Sequence, residues 1–197
     1  MGTAKAGLPW HGQTLLHRTV TVLAAATGGP VVVVRAAGQP LPELPPATIV
    51  VDDPRQARGP LQGIAAGLTA LASLAGTAPG AAFAAATDMP FLHQAFVRRV
   101  LAVLAEDRAD VALPVARGHP QPLAAAYRVA LGATADQLVG SGRLRPADLF
   151  GQCTVSRVDA ARLLADPGLA AADPELDSLV NVNSPAEYAA ALARPAG

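Results

Sequence analysis

Short apolar runs alternate with helical patterns through residues 14–116, and this alternation limits the folds that the chain can adopt. The apolar runs cover residues 31–36, 48–53, 81–88 and 110–116, and the helical patterns cover residues 14–26, 60–74 and 92–104. Strands joined through helices run parallel and bury both faces of their sheet. We therefore predict an α/β, Rossmann-like fold, a doubly wound and mostly parallel sheet with helices on both faces.

The rest of the chain is less regular. It predicts strands at residues 121–128 and 153–158 and helices at 130–139, 146–150, 159–164 and 184–192, the last with Ser184 as its cap and Pro185 in its first turn. Because we find neither repeats nor a long linker, we expect one domain over residues 1–197. A doubly wound sheet normally starts with a central strand and a phosphate loop, but the first element here is a helix. We therefore predict that the innermost strand is missing.

Composition excludes several classes of protein. Fifteen basic and fifteen acidic residues cancel, so the chain lacks the broad charge that nucleic acid or an anionic membrane surface would attract. A single cysteine, Cys153, rules out a disulfide framework within one chain. No apolar run approaches the roughly 18 residues that span a bilayer. We expect a cytoplasmic protein with no nucleic-acid or membrane partner.

Acidic side chains end two of the predicted strands. Asp52 and Asp53 close TIVVDD, and Asp88 follows AAFAAAT. Ligands of open α/β sheets bind at the carboxyl ends of the strands, where carboxylates together with substrate phosphates suit Mg²⁺. Asp88 is therefore a candidate metal ligand, although an aspartate ahead of Pro90 also suits a helix cap.

Other residues are typical of nucleotide contacts. Lys5 precedes a helix, where a cation can neutralise phosphate, and Gly59 and Gly63 in GPLQG allow close backbone approach of a ligand. Asn181 and Asn183 in VNVNSP offer amide oxygens. Each group also has an ordinary alternative: a solvated lysine near a terminus, a turn before a helix-initiating proline, and an Asx turn.

In their order and spacing, MGTAKAGLPW, VVDD, GPLQG, TDMPFL, QPLAAAYR and VNVNSPAEY resemble the molybdenum cofactor guanylyltransferase (MobA-like nucleotidyltransferase) family over nearly the whole chain. The resemblance implies transfer of GMP from GTP to molybdopterin cofactor with release of pyrophosphate, and Mg²⁺ as cofactor. It assigns catalysis to Lys5 and Asp88, nucleotide binding to Lys5, Asp53 (with Asp52 as the alternative), Gly59, Gly63 and Asp88, and metal binding to Asp88 and Asn183.

The chain departs from this family at its start. The family begins with a strand and a glycine-rich turn of the type LAGG…R directly before the Met-Gly pair, and here Met1 stands at that position. We interpret Met1 as an internal methionine of a longer reading frame, and a degenerate, poorly active paralogue is the alternative. Without a central strand, we expect residues 1–197 to fold poorly or to bind nucleotide weakly, because a domain has only about 5–15 kcal/mol of stability.

Other functions stay open at this point. LPWHG and RGHP are similar to the cytidylyltransferase that acts on the same pterin, whereas QPLAAAYR favours the guanine enzyme. The missing loop also suits a non-catalytic protein that holds the cofactor or docks on a molybdoenzyme or its chaperone. A sugar-nucleotide pyrophosphorylase is a weaker alternative. Residues 118–127 and the loop of Arg143 and Arg145 are candidates for contact with the pterin or its phosphate.

Overall fold

A computed structural model describes residues 5–53, 59–75, 78–116 and 118–194, together with the backbone but not the side chain of Lys5. The amino-terminal part begins with a single 3₁₀ turn, Lys5–Gly7, and a small antiparallel hairpin of β1 (Pro9–Trp10) and β2 (Gln13–Thr14). Its two-residue turn, His11 and Gly12, has positive φ at both positions, as tight hairpins of this kind require. Our sequence analysis does not predict this hairpin.

The predicted alternation of strands and helices is confirmed, with boundaries shifted by a few residues. After α1 (Leu15–Thr27) come β3 (Val32–Ala36), β4 (Ile49–Asp53), α2 (Pro60–Ala72), β5 (Ala81–Ala85), α3 (Gln94–Glu106) and β6 (Val111–Ala116). Helix α1 starts where the Thr14 side chain accepts a hydrogen bond from the His17 N–H, and it ends at Gly28 in the left-handed region.

The carboxyl-terminal third adds short strands and helices. These are β7 (His119–Pro120), β8 (Ala124–Arg128), α4 (Leu131–Gly140), α5 (Pro146–Phe150), β9 (Val155–Val158), α6 (Ala160–Leu164), α7 (Pro167–Ala172) and α8 (Pro185–Leu192). Helix α7 was not predicted. Helix α8 begins with a capping box: the Ser184 side chain accepts a hydrogen bond from the Glu187 backbone N–H, and the Glu187 side chain accepts one from the Ser184 backbone N–H.

The sheet is mixed. Strand β3 pairs with β4, and β6 with β9, in parallel, whereas β8 lies between β5 and β6 and is antiparallel to both. Helices α2 and α4 cover one face, and α1 and α3 cover the other. Side chains on β6 and β8 are almost wholly buried, which explains their continuous apolar sequences.

The predicted gap in the sheet is present among the described residues. Strand β3 pairs only with β4 and β5 pairs only with β8, so one edge of each is without a neighbouring strand in the described part of the chain. An apolar slot of about 700 Å³ separates these edges. It is lined by Val31, by residues 32–34 of β3 and 81–85 of β5, and by side chains of α1, α2 and α3, including Leu23 and Leu101.

Candidate active site

The carboxyl end of β5 meets the segment that precedes α8. Asp88 lies three residues beyond β5, and its backbone carbonyl accepts a hydrogen bond from the Val182 N–H at 2.9 Å. Asn183, the next residue, is exposed, and its N–H donates to the Glu187 carboxylate at 2.7 Å. Backbone pairing therefore brings together the two residues for which we predicted metal binding, although they are distant in sequence.

A recess of about 190 Å³ with both polar and apolar walls borders the loop that carries Asp88. Its walls include Arg35, Gln39 and Thr87 together with Ala6 and Leu41. Ala6 follows Lys5, and Thr87 precedes Asp88, so the chain segments that carry these two predicted residues both border the recess. The carboxyl ends of β3 and β5 and the amino-terminal 3₁₀ turn thus converge. Ligands of open α/β sheets bind at this end of the strands.

Arg35 is the cation that the structure adds to this region. Its Nε donates to the Asp52 carboxylate at 2.7 Å and its Nη1 donates to the Gln39 carbonyl at 3.2 Å. The Gln39 side chain in turn accepts from the Ala36 N–H. Our sequence analysis missed Arg35, although its position as the first charged residue after four valines marks the carboxyl end of a strand.

The two aspartates at the end of β4 have different surroundings. Asp52 forms the ion pair with Arg35, in which both side chains are partly exposed. Asp53, the residue that we preferred for nucleotide binding, is level with Ala36 in the parallel register of β3 and β4. It therefore lies at the same edge of the sheet as Arg35, one strand farther from Asp88.

The glycines of GPLQG lie at the start of α2. Gly59 has a φ of 78°, which only glycine adopts without strain, and precedes Pro60 at the first helical position. Among the described residues, no atom outside the neighbouring residues and the helix's own backbone lies within 4 Å of the place where a Cβ on Gly63 would stand. Gly63 borders the apolar slot rather than the recess beside Thr87. The predicted binding residues are thus distributed between two adjoining spaces.

Several other side chains singled out in the sequence have contacts with the rest of the protein. Tyr127 is fully buried, its hydroxyl donates to the Pro122 carbonyl at 2.7 Å, and burial raises its pKa, so it is inaccessible to a pterin. Burial also raises the pKa of the Cys153 thiol, which agrees with an unreactive cysteine. Arg143 forms an ion pair with Asp148, and pterin contact by the loop of Arg143 and Arg145 stays a prediction. Along the described ranges, no helix is long and apolar enough to cross a membrane.

The donor chemistry at the β5 end fits a hard divalent cation. The described residues contain no cluster of three or more His, Cys, Asp or Glu side chains arranged to hold a metal. Asp88 and Asn183 offer one carboxylate and one amide, and a magnesium ion usually takes only one or two protein oxygens and completes its shell with water and phosphate. The Asp88 and Asn183 side chains therefore fit a metal that arrives with a nucleotide.

Comparison with known proteins agrees with this geometry. Two mycobacterial proteins named probable molybdenum cofactor guanylyltransferase are similar in sequence. The protein of Mycobacterium tuberculosis is 37% identical over 188 residues, which cover 94% of this chain and 84% of the relative. The protein of Mycobacterium avium is 34% identical over 192 residues, which cover 96% and 87%.

Solved structures share the fold at low sequence identity. Molybdopterin-guanine dinucleotide biosynthesis protein A of Archaeoglobus fulgidus superposes with a TM-score of 0.71 at 18% identity and covers 96% of this chain and 89% of its own. The 2-C-methyl-D-erythritol 4-phosphate cytidylyltransferase of Thermus thermophilus superposes with a TM-score of 0.66 at 18% identity and covers 98% of this chain and 93% of its own. A Mycobacterium tuberculosis protein crystallised with manganese superposes with a TM-score of 0.54 at 17% identity and covers 81% of this chain and 83% of its own.

The 37% identity to a named guanylyltransferase over 94% of the chain places this protein among the nucleotidyltransferases, and the Rossmann-like fold shared with the solved structures agrees with that class. The family model for the MobA-like NTP transferase domain matches residues 1–153. The chain belongs to the MobA-like NTP transferase family, and the resemblance inferred from its motifs is confirmed.

Proposed function

We propose that this protein transfers GMP from GTP to molybdopterin cofactor and releases pyrophosphate. The observation that carries the proposal is the convergence of the Asp88 loop, the Asn183 segment and the 3₁₀ turn of Lys5 at one edge of the sheet. It occurs in a chain that is 37% identical to proteins named probable molybdenum cofactor guanylyltransferase. We further propose that residues 1–197 act as a single nucleotidyltransferase domain.

The reaction needs positioning and charge neutralisation rather than a protein nucleophile. A phosphate oxygen of the pterin forms a bond to the α-phosphorus of GTP. The bond from that phosphorus to the oxygen bridging to the β-phosphate breaks, and pyrophosphate leaves with the electron pair. Negative charge grows on the phosphate oxygens, so an enzyme accelerates the step by holding both anions in line among fixed positive groups. This explains why a Ser-His-Asp or Cys-His arrangement is not required.

Each proposed residue has a role in that scheme. Lys5 neutralises the phosphates of GTP, and Asp88 with Asn183 holds Mg²⁺, which supplies positive charge to the phosphate oxygens when bound. Asp53 and the backbone at Gly59 and Gly63 contact the rest of the nucleotide. The pterin binds in front of the α-phosphate, and the product passes to a molybdoenzyme or its chaperone.

The direct test is a turnover assay with the purified chain, Mg²⁺, GTP and molybdopterin cofactor, with pyrophosphate release as the readout. We expect Asp88→Asn to lower kcat/KM by roughly 100-fold or more, because it removes a charged ligand and so weakens the binding of the Mg²⁺ that would act on the reacting phosphates. Asp136→Asn, an exposed change on α4, is the matched control and should leave turnover unchanged.

Two results would contradict the proposal. Turnover with CTP in preference to GTP would assign the chain to cytidylyl transfer. Tight binding of the cofactor without turnover of either nucleotide would make it a binding protein.

A further inference from the structure

Trp10 lies where the three segments of the proposed site meet. It is 1% exposed and belongs to an apolar cluster with Leu15, Val182 and Ala191. Its ring packs edge-on against Phe91, with ring centroids 5.5 Å apart and an interplanar angle of 82°. Phe91 follows Asp88 by three residues, Val182 precedes Asn183, and Trp10 itself follows Lys5 by five.

Further contacts fasten the same three segments around this ring. The Tyr188 hydroxyl on α8 donates a hydrogen bond to the Pro9 carbonyl, next to Trp10. The Arg194 guanidinium lies 4.1 Å from the centre of the Phe91 ring and pairs with Asp177. These contacts tie the amino-terminal hairpin and the Asp88 loop to the end of the chain.

The backbone supplies one link and the side chains supply the other. The Val182 N–H bond to the Asp88 carbonyl fixes the two proposed metal ligands relative to each other. The hairpin segment that follows Lys5 reaches them mainly through apolar packing, in which Trp10 is the largest fully buried side chain. Loss of its volume would leave a cavity between the hairpin and the Asp88 loop, and such cavities relax only in part.

We propose that Trp10 is a positioning residue, which sets the distance between the phosphate-binding segment of Lys5 and the metal-binding pair Asp88 and Asn183. This inference rests on the proposed function. Ring packing rather than hydrogen bonding does the positioning, because the buried Trp10 Nε1 has no hydrogen-bond partner in the described part of the chain. Phenylalanine at this position keeps an aromatic ring beside Phe91 and loses the unused donor together with part of the indole volume, far less volume than alanine would lose.

The first experiment compares Trp10→Ala and Trp10→Phe with Leu169→Ala, which removes a fully buried side chain of α7 outside the cluster. All are assayed below their unfolding temperatures. We expect Trp10→Ala to lower kcat by roughly tenfold and to raise the Mg²⁺ concentration for half-maximal rate, because small misplacements of reacting groups are costly. In Trp10→Phe, kcat and the Mg²⁺ concentration for half-maximal rate should both stay near the starting values. Leu169→Ala should lower only the melting temperature.

The second experiment uses the fact that Trp10 is the only tryptophan in the chain. Its fluorescence is followed during titration with Mg²⁺ and GTP, in the starting protein and in Asp88→Asn. We expect a change in emission that Asp88→Asn abolishes, because binding at the site would change the surroundings of the Trp10 ring. This readout does not depend on turnover.

The two experiments separate the failure of this inference from failure of the proposed function. Normal turnover, with Trp10→Ala behaving like Leu169→Ala and with no fluorescence response, would overturn the role of Trp10 and leave the function standing. An Asp88-dependent fluorescence response in a chain without turnover would support the coupling at Trp10 and overturn the transferase proposal.

Discussion

Gln62 is a polar residue whose side chain is buried among apolar ones. It lies in the first turn of α2, it is 1% exposed, and neither amide atom has a hydrogen-bond partner in the described part of the chain. Its neighbours on the helix, Leu61 and Ile64, belong to the apolar cluster shared with α4. A buried amide without partners lowers stability, because it loses its hydrogen bonds to water on folding.

We therefore expect Gln62→Met to raise the free energy of unfolding by about 1 kcal/mol, since methionine has a similar shape and no polar atoms to desolvate. For a chain of this size, the melting temperature should rise by about 2–4 °C. Gln13→Met, on the exposed strand β2, is the control and should change neither quantity. A lower melting temperature for Gln62→Met would mean that the amide is hydrogen-bonded in solution.

At the scale of elements, polar contacts at the end opposite the site join α3, β9 and α6. Asp107, the residue after α3, accepts hydrogen bonds from both terminal nitrogens of Arg162 on α6, at 2.7 and 2.8 Å. The Ser156 hydroxyl on β9 also donates to it. The Arg162 guanidinium, and next the Ser156 hydroxyl, lower the pKa of the Asp107 carboxyl to about 2.

The carboxyl pKa is about 4 in the unfolded chain and about 2 in the folded protein. The ionised carboxylate therefore stabilises the fold fully at pH values above about 4, and this stabilisation is lost as the pH falls through about 2. We expect Asp107→Asn to lower the urea midpoint at pH 5 and the two proteins to converge as pH approaches 2. Arg162→Gln should give the same convergence, because it removes the other half of the pair. A difference that stays constant from pH 5 to pH 2 would contradict this assignment.

For the whole molecule, the division of the sheet is the dominant feature. Strands β3 and β5 each have an edge without a neighbour among the described residues, and their side chains are mostly only half-buried. Strands β6 and β8, by contrast, are nearly inaccessible to solvent. Open edges and an apolar slot of about 700 Å³ weaken cohesion between the β3–β4 pair and the rest of the sheet. The expectation of poor folding or weak nucleotide binding stays a prediction.

Native-state hydrogen exchange measures this weakness directly. We expect amides of residues 31–36 and 81–85 to exchange on average roughly tenfold faster than those of β6 and β8, because local opening requires less loss of packing there. A tenfold difference corresponds to about 1.4 kcal/mol in the free energy of opening. Equal protection of all four strands would show that the slot is closed in solution.

The sequence by itself determined the order of the main strands and helices, the aspartates that end β4 and follow β5 and the gap in the sheet, but neither the hairpin of β1 and β2 nor helix α7. Apolar periodicity and turn residues are local properties, so helices such as α1 and strands such as β4 could be predicted with small errors at their ends. The family resemblance rested on short motifs in a fixed order, and it too could be found without coordinates.

Only the tertiary structure decided which distant residues meet. The bond from Val182 to Asp88, the pairing of Arg35 with Asp52 and the packing of Trp10 on Phe91 each join segments that are separated in sequence. It also placed β8 antiparallel between β5 and β6, where a run of alanines gives no information about strand direction. Such contacts depend on how elements pack against one another, and local sequence patterns do not encode that arrangement.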